Sequence, residues 1–298
     1  MPRPLLTKAS KSVYQLRNKA IPEFLLQRIL IAAVLFTIAH SASADCKDEW
    51  ICVDTISQGG NVELRAKNLR EYPITYTLRI QTRNWIIDGP RTVTRTLAPY
   101  QSEQVMLLSS DGRSRRGGYR YSFDWTVGDK DAVHDDDHPY SLPYSSGKSY
   151  QVIQGYGSRF SHTGLEKFAV DFDMPVGTPV HAARAGVVAR IEESHSRGCW
   201  EDGCGKFANF IIILHSDGTT GEYFHLSKYG AFVEVGENVA QGQKIAYSGN
   251  TGHTTMPHLH FAVYRAIEWG RTQSIPVRFL GAKGMIDRPR RGARYQAI

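Results

Sequence analysis

Residues 257–264 read PHLHFAVY, and this short stretch is the most informative part of the sequence. Its polar and apolar residues alternate with a period of two, which predicts a β-strand with one buried face. On such a strand His258 and His260 point to one side, while Leu259 and Phe261 pack on the other. Two imidazoles on one face are costly to bury without partners, and neutral imidazole is a good zinc ligand. The stretch therefore indicates a strand that carries part of a metal site.

Two further apolar stretches carry polar residues of the same kind. Residues 223–226 read YFHL, and alternation predicts that Tyr223 and His225 share one face of a strand. Residues 168–172 read FAVDF, so Asp171 lies in an otherwise apolar strand. A carboxylate in that position is costly unless it is hydrogen-bonded or bound to a cation.

His162 lies just upstream, in the stretch FSHTG. Together with Asp171 and the other histidines it predicts a catalytic zinc site. In such a site two histidines and one carboxylate bind the metal, and a further position stays open for water. The sequence contains no H-E-x-x-H, so a glutamate general base of the thermolysin kind is not expected.

Short strands are predicted along most of the chain. From Asp45 to about Tyr144, alternating runs such as 61–66 and 74–80 are separated by Gly, Pro, Asn and Asp. They predict a small antiparallel β-sandwich of immunoglobulin-like type. From Gln151 onward the strands are longer and more apolar, and tight glycine turns predict a second, compact antiparallel β domain. The predicted fold class is all-β.

The first 44 residues differ from the rest. They carry six Lys and Arg against one acid, an apolar run of eleven residues at 29–39, and the sequence Ala42-Ser43-Ala44. These features predict a signal peptide cleaved before Asp45, because a membrane span needs about 20 apolar residues. An uncleaved anchor is the alternative.

Removal of this segment leaves 30 Lys and Arg against 28 Asp and Glu, so a nucleic-acid partner is not implied. We expect a periplasmic or secreted protein without a stable membrane span. Export places its four cysteines in an oxidising compartment. Cys46 with Cys52 and Cys199 with Cys204 would form two local disulfides, although three pairings are possible from the sequence alone.

From about Gln154 to Arg265 the chain resembles the M23 family of metallopeptidases, the lysostaphin-like or LytM-like endopeptidases. Besides the His and Asp residues above, the stretches that carry the resemblance are PVGTPVHAA at 175–183, GVV at 186–188, YFHL at 223–226, GNTG at 249–252 and HLHF at 258–261. The resemblance covers somewhat over a third of the chain. It implies a compact antiparallel β fold, zinc as the cofactor, and peptidoglycan as the substrate whose peptide bonds are hydrolysed.

The resemblance also implies roles for individual residues. The implied zinc ligands are His162, Asp171 and His260. His225 and His258 correspond to the unligated histidines that act on the attacking water and on the transition state. Tyr223 would contribute a hydroxyl near the transition state, with a packed structural tyrosine as the alternative.

The chain departs from the family pattern at two positions. The family usually has a histidine four residues before the ligand Asp171, where this chain has Lys167. A loop would therefore have to bring His162 back to the site. Met256 stands where a small Gly commonly precedes Pro-His-Leu-His, and it would either narrow the choice of substrate or be neutral.

These patterns divide the chain into five parts. The predicted parts are a signal peptide at 1–44, a β-sandwich domain at 45–144, a linker at 145–153, an M23-like metallopeptidase domain at 154–280 and a basic tail at 281–298. The acidic stretch 134–138, HDDDH, is predicted to be a solvated linker, with a metal site as the alternative. The basic tail is predicted to be a solvated chain end, with attraction to an anionic cell-wall surface as the alternative.

The sequence thus predicts a zinc-dependent endopeptidase that hydrolyses peptide cross-links of bacterial peptidoglycan. The alternative is a catalytically inactive M23-like regulator that binds and activates other cell-wall hydrolases; loss of His162 from the metal would favour it. A lipoyl-type carrier ranks below both, because Lys244 is predicted on a strand and not in an exposed hairpin. The bond that is cut, the identity of the general base and the oligomeric state stay open.

Overall fold

The computed structural model describes residues 41–110 and 117–298. These residues form an almost entirely β structure, which confirms the all-β fold class. Residues 1–40 of the predicted signal peptide lie outside the described residues. The predicted cleavage site, between Ala44 and Asp45, lies within the strand Ser41–Lys47, and cleavage there stays a prediction. Among the residues described, no helix is long and apolar enough to span a membrane.

Eight strands are described between residues 41 and 127. They are β1 (Ser41–Lys47), β2 (Ile51–Gln58), β3 (Asn61–Asn68), β4 (Ile74–Arg83), β5 (Trp85–Asp88), β6 (Thr92–Leu97), β7 (Ser102–Ser110) and β8 (Gly118–Val127). They form two antiparallel sheets, one with the order β1-β2-β3-β7-β5 and the other with the order β6-β4-β8. Both sheets contribute to one core, in which Leu64 and Leu78 are fully buried. Two packed sheets agree with the predicted sandwich, and its immunoglobulin-like type stays a prediction.

Seventeen strands are described between residues 128 and 298. They are β9 (Pro139–Ser141), β10 (Ser149–Gln154), β11 (Val170–Phe172), β12 (Pro179–His181), β13 (Gly186–Glu192), β14 (Gly198–Cys199), β15 (Phe210–Leu214), β16 (Thr220–Phe224), β17 (Leu226–Ala231), β18 (Asn238–Val239), β19 (Lys244–Ser248), β20 (Gly252–His253), β21 (Leu259–Ala266), β22 (Thr272–Ile275), β23 (Arg278–Gly281), β24 (Gly284–Ile286) and β25 (Arg294–Gln296). Two short 3-10 helices lie at Gly164–Glu166 and Cys204–Phe207.

A nine-stranded sheet is the framework of this part. Its order is β18-β13-β15-β16-β21-β11-β10-β25, and β22 pairs with β21. One face of the sheet shares a core with the small sheet β12-β19-β17, and in that core Phe172, Phe261 and Ile245 are almost fully buried. Because successive side chains alternate between faces, the residues between these apolar ones point to the opposite face, which carries the site.

The segments predicted as linker and tail contain strands. Residues 145–153 run into β10, and residues 281–298 include β24 and β25. β25 pairs antiparallel with β10 through Tyr295 and Tyr150, so the chain end returns to the large sheet. The proposed domain boundaries themselves stay predictions. In the acidic stretch, His134 contacts Asp136 at 2.8 Å and the hydroxyl of Tyr140 at 3.0 Å, which occupies both ring nitrogens.

The N-terminal sheets rest on the outer strands of the large sheet. The guanidinium of Arg190, on β13, lies 5.4 Å from the ring centroid of Trp125 and 5.4 Å from that of Phe210. Ala189 is part of the same core as the sandwich residues. Stacking of a guanidinium between aromatic rings is favourable, because their faces carry negative potential.

Both cysteine pairs form local disulfides. Cys46 is bonded to Cys52, and Cys199 is bonded to Cys204. The second bond closes a loop that leaves β14, which pairs in parallel with β20 beside the site. The predicted local pairing is therefore confirmed.

Candidate active site

Asp171 and His260 are direct partners on neighbouring strands. β11 pairs with β21 so that Asp171 lies opposite His260. Opposed residues of two paired strands point to the same face, and here His260 Nδ1 lies 2.8 Å from Asp171 Oδ1. The sequence predicted each of these two residues on an apolar strand, and the pairing of β11 with β21 brings them together.

His162 reaches the same carboxylate from a loop. It is fully buried, and its Nε2 lies 3.2 Å from Asp171 Oδ1. Its Nδ1 lies 3.3 Å from the carbonyl oxygen of Gly155. The short 3-10 helix Gly164–Glu166 and the turn after it lead the chain into β11, where Asp171 lies nine residues after His162. The structure therefore brings His162 to Asp171, and its role as a metal ligand stays a prediction.

The protonation of His162 follows from its partners. The Gly155 carbonyl can only accept, so Nδ1 carries the proton and Nε2 presents a lone pair in the neutral ring. That Nε2 is buried and has no hydrogen-bond partner among the described residues. It faces a carboxylate oxygen, which is also an acceptor. A buried pair of acceptors is unfavourable unless a positive charge lies close to both.

The three side chains together offer a set of atoms that fits a cation. One ligand atom each from His162, Asp171 and His260 lies within 4.8 Å of the others. Two imidazole nitrogens and one carboxylate oxygen are a donor set that zinc prefers, and they leave a coordination position for water. Burial would raise the pKa of Asp171, but His162 and His260 hold it well below its usual value.

The residue at the usual family position does not enter this cluster. Lys167 is exposed, and its ammonium lies 5.2 Å from the ring centroid of Phe168. Its backbone carbonyl accepts a hydrogen bond from Gly157. Lys167 thus belongs to the loop that carries His162, and it contributes no ligand atom.

A second layer fixes the orientation of His260. Tyr264 donates its hydroxyl hydrogen to Glu166 at 2.6 Å, so the hydroxyl oxygen accepts from His260 Nε2 at 3.2 Å. When a metal binds Nδ1, this hydrogen bond would keep the proton of the ring on Nε2. Burial alone would lower the pKa of His260, but Asp171 and Glu166 raise it to about 10. The two carboxylates therefore create a negative potential that favours a cation.

Sequence reasoning missed both residues of this layer. Tyr264 lies four residues after His260 on one strand, so alternation places both on one face, and that signal was available. Glu166 comes from the loop before β11, and its approach depends on tertiary structure.

His258 and His225 lie next to the cluster, and the centroids of their two rings are 4.5 Å apart. His258 Nδ1 donates to the carbonyl of Met256 at 2.8 Å, and His225 Nδ1 donates to the carbonyl of Thr251 at 2.7 Å. Each neutral ring therefore keeps a lone pair on Nε2. His258 Nε2 lies 3.9 Å from Asp171 Oδ1, which directs that lone pair towards the predicted metal site.

Burial keeps both of these imidazoles neutral. It lowers the pKa of His225 to about 3, and it also lowers the pKa of His258. His225 has a φ of 64°, in the left-handed region that non-glycine residues rarely adopt. This turn directly after β16 breaks the alternation of the strand.

Tyr223 is not brought to the site, and the prediction that it shares a face with His225 is wrong. Tyr223 is fully buried in the core, where its hydroxyl accepts a hydrogen bond from the backbone N–H of Ala183 at 2.7 Å. The left-handed turn at His225 sends the two side chains to opposite sides of the sheet. The packed structural tyrosine, which the sequence left as the alternative, is what the structure contains.

An open cavity of about 570 Å³ lies over Asp171 and His260 of the cluster. Asp171, His225, His258 and His260 all line it. Exposed aromatic side chains form part of its rim, where Phe160 and Trp200 stack with ring centroids 5.2 Å apart.

Met256, the second residue that differs from the usual family pattern, also lies in the wall of the cavity. Met256 is partly exposed and lines the cavity close to His258.

Comparison with known proteins gives a family match for this part of the chain. Residues 166–274 match the family described as peptidase family M23. This range includes Asp171, His225, His258 and His260, while His162 lies just before it.

Two curated proteins are similar over the same region. The chain is 33% identical over 122 residues to peptidoglycan DD-endopeptidase ShyA of Vibrio cholerae, covering 40% of this chain and 26% of that protein. It is 36% identical over 138 residues to lysostaphin of Staphylococcus simulans, covering 46% of this chain and 26% of that protein. The aligned part thus spans about a quarter of the length of these relatives. A solved catalytic domain of lysostaphin from Staphylococcus simulans is 32% identical with a TM-score of 0.33, covering 42% of this chain and 88% of that domain.

Proposed function

Because residues 166–274 are a peptidase family M23 domain, we propose that this chain is a zinc-dependent endopeptidase that hydrolyses peptide cross-links of bacterial peptidoglycan. The observation that carries the proposal is the cluster of His162, Asp171 and His260, of which Asp171 and His260 line an open cavity. The buried His162 Nε2 has no hydrogen-bond partner among the described residues and faces a carboxylate oxygen, an arrangement that a bound cation would stabilise.

The chemistry divides between the metal and the residues around it. His162 Nε2, Asp171 Oδ1 and His260 Nδ1 would hold the metal. Bound there, zinc supplies a Lewis acid that polarises the scissile carbonyl and makes water acidic enough to attack near pH 7.

The unligated histidines would move the protons. His258 and His225 are neutral near pH 7, and each has a free lone pair on Nε2. One of them would accept the proton of the attacking water, and the resulting imidazolium would stabilise the oxyanion or protonate the leaving amine. The Nδ1 hydrogen bonds to Met256 and Thr251 keep each ring in the tautomer that this task needs.

The proposed location follows from the disulfides and from the substrate. Disulfides persist in oxidising compartments, and the chain has two. Peptidoglycan lies outside the cytoplasm, so we place the protein in the periplasm or among secreted proteins of the cell envelope.

The test uses the chain from Ser41 onward, so that β1 is complete. We expect about one zinc per chain by metal analysis, and release of cross-link fragments from purified peptidoglycan by chromatography with mass spectrometry. His260→Ala should lose both zinc and cleavage. His258→Ala is the matched variant, because it should keep zinc and lose cleavage.

A different result would favour the alternative function, a catalytically inactive domain that activates other cell-wall hydrolases. A wild-type chain that binds no zinc and releases no fragments, but accelerates a separate peptidoglycan hydrolase, would overturn the enzymatic proposal.

A further inference from the structure

The basic segment near the C-terminus is held at the edge of the active-site cavity. Residues 288–294 read RPRRGAR and contain four arginines, all of them exposed. Within the part of the chain that the structure describes, none of the four forms an ion pair. Unpaired guanidinium groups at this density produce a local positive potential.

Backbone hydrogen bonds tie this segment to β10. β25 pairs with β10, and beyond that pairing Val152 donates to the carbonyl of Ala293 at 2.9 Å. Gly292 donates in return to the carbonyl of Val152 at 2.8 Å. The segment is therefore an added edge of the large sheet, with a defined position relative to the strand that lies next to β11.

Gly155 allows the segment to approach the loop of His162. A Cβ at Gly155 would collide with the carbonyl oxygen of Pro289, so only glycine permits this contact. The carbonyl of the same Gly155 accepts the hydrogen bond from His162 Nδ1. One backbone residue thus contacts both the basic segment and the predicted metal ligand.

Arg291 has a different environment from its neighbours, because it lines the cavity. The acidic side chains that line it are Glu166, Asp171 and Glu222, and burial raises the pKa of Glu222 to about 7. Among the described lining residues Arg291 is the single Lys or Arg. An anionic group of a substrate would be repelled by the Glu166 carboxylate and attracted to the Arg291 end of the cavity.

We propose that Arg291 binds a free carboxylate of the peptide substrate close to the scissile bond, and that this contact sets the direction in which the peptide lies in the cavity. This inference rests on the proposed function, and it adds a preference for carboxylate-bearing cross-links over uncharged ones. A guanidinium suits this role, because its planar N–H groups match both oxygens of a carboxylate.

The experiment compares two cross-linked peptides that are identical except for one group. In the first, the carboxylate next to the scissile amide is free, and in the second it is a carboxamide. We expect the zinc-loaded wild type to have about a tenfold higher kcat/KM for the free carboxylate, and added salt to reduce this preference. Arg291→Gln should bring the ratio of the two kcat/KM values close to one, with zinc content and melting temperature unchanged.

Arg288→Gln is the matched control, because it removes the same charge from an exposed arginine of the same segment that does not line the cavity. It should retain most of the preference. The proposal is overturned if Arg291→Gln keeps the wild-type ratio, or if Arg288→Gln loses the ratio to the same extent.

A second measurement separates this inference from the proposed function. If the zinc-loaded wild type cleaves neither peptide, the proposed function fails, and peptide binding by calorimetry then decides on Arg291. A stronger affinity for the carboxylate peptide that disappears in Arg291→Gln would support the contact. Equal affinities of the wild type for both peptides would refute it.

Discussion

His162 Nε2 and Asp171 Oδ1 lie 3.2 Å apart in a buried position, although both atoms are hydrogen-bond acceptors when the imidazole is neutral. The Nδ1 proton of His162 is directed to Gly155, so it cannot relieve this contact. A cation bound to both atoms would stabilise the pair. Substitution of His162 is therefore the most direct test of the predicted metal site.

Replacement of His162 should remove zinc from the protein. His162→Ala leaves two of the three proposed ligands, so we expect zinc affinity to fall by at least about 100-fold and peptidoglycan cleavage to be lost. Metal analysis after dialysis against a weak chelator measures this change.

His253→Ala is the control for this experiment, since His253 lines the same cavity but lies outside the cluster. It should keep about one zinc per chain. Full zinc retention in His162→Ala would mean that the ligand assignment is wrong.

Tyr264→Phe should weaken zinc binding without removing a ligand. The hydroxyl accepts from His260 Nε2 and donates to Glu166, so its loss frees the ring of His260 to change tautomer. We expect about a tenfold weaker zinc affinity, measured by competition with a chromogenic chelator.

Tyr156→Phe provides a matched comparison, because Tyr156 also hydrogen-bonds through its hydroxyl, to the backbone of Val277. This variant should lose some stability and keep its zinc affinity. The same loss of zinc affinity in both variants would count against a specific role for Tyr264.

Trp200→Ala should reduce substrate binding. Trp200 is half exposed, stacks on Phe160 and lines the cavity from the loop that the Cys199–Cys204 disulfide closes. Loss of its aromatic contact should raise KM for a soluble cross-linked peptide by about fivefold, with kcat and zinc content little changed. Tyr229→Ala, at an exposed aromatic residue that is not among the described lining residues, should leave KM unaltered. An unchanged KM in Trp200→Ala would exclude this contact.

Acid should destabilise the fold through His215. Burial lowers the pKa of this imidazole to about 3 in the folded protein, whereas an unfolded histidine has a pKa of about 6.5. The unfolded state therefore binds the proton more readily below pH 6.5. The contribution of His215 to stability is present above that pH and is lost as the pH falls towards 3, at up to about 1.4 kcal/mol per pH unit.

Urea unfolding between pH 4 and 7, with a chelator present, measures this dependence. His215→Gln should have a shallower dependence of the free energy of unfolding on pH than the wild type. His253→Gln removes one exposed histidine and should keep the wild-type slope. Equal slopes for wild type and His215→Gln would show that another group is responsible.

Local pattern was sufficient to predict the central part of the site. Asp171 and the pair His258 and His260 lie in short stretches whose apolar neighbours reveal the strand and its faces, because side chains alternate with a period of two. The same rule failed at Tyr223. Alternation holds only while the strand continues. Here the strand ends at Phe224, because the next residue, His225, has a left-handed backbone.

The amino-acid pattern alone was enough to predict the all-β class, the positions of Asp171 and His260 on strands, and the chemistry that two histidines and a carboxylate can support. Three contacts are known only from the folded chain: His162 returns to Asp171, Glu166 approaches His260, and Arg291 lines the cavity. These three contacts depend on loops and on the pairing of β25 with β10. The reason is physical: periodicity reports which face of a strand a side chain occupies, whereas the approach of distant segments is set by strand register and by backbone contacts that no local pattern encodes.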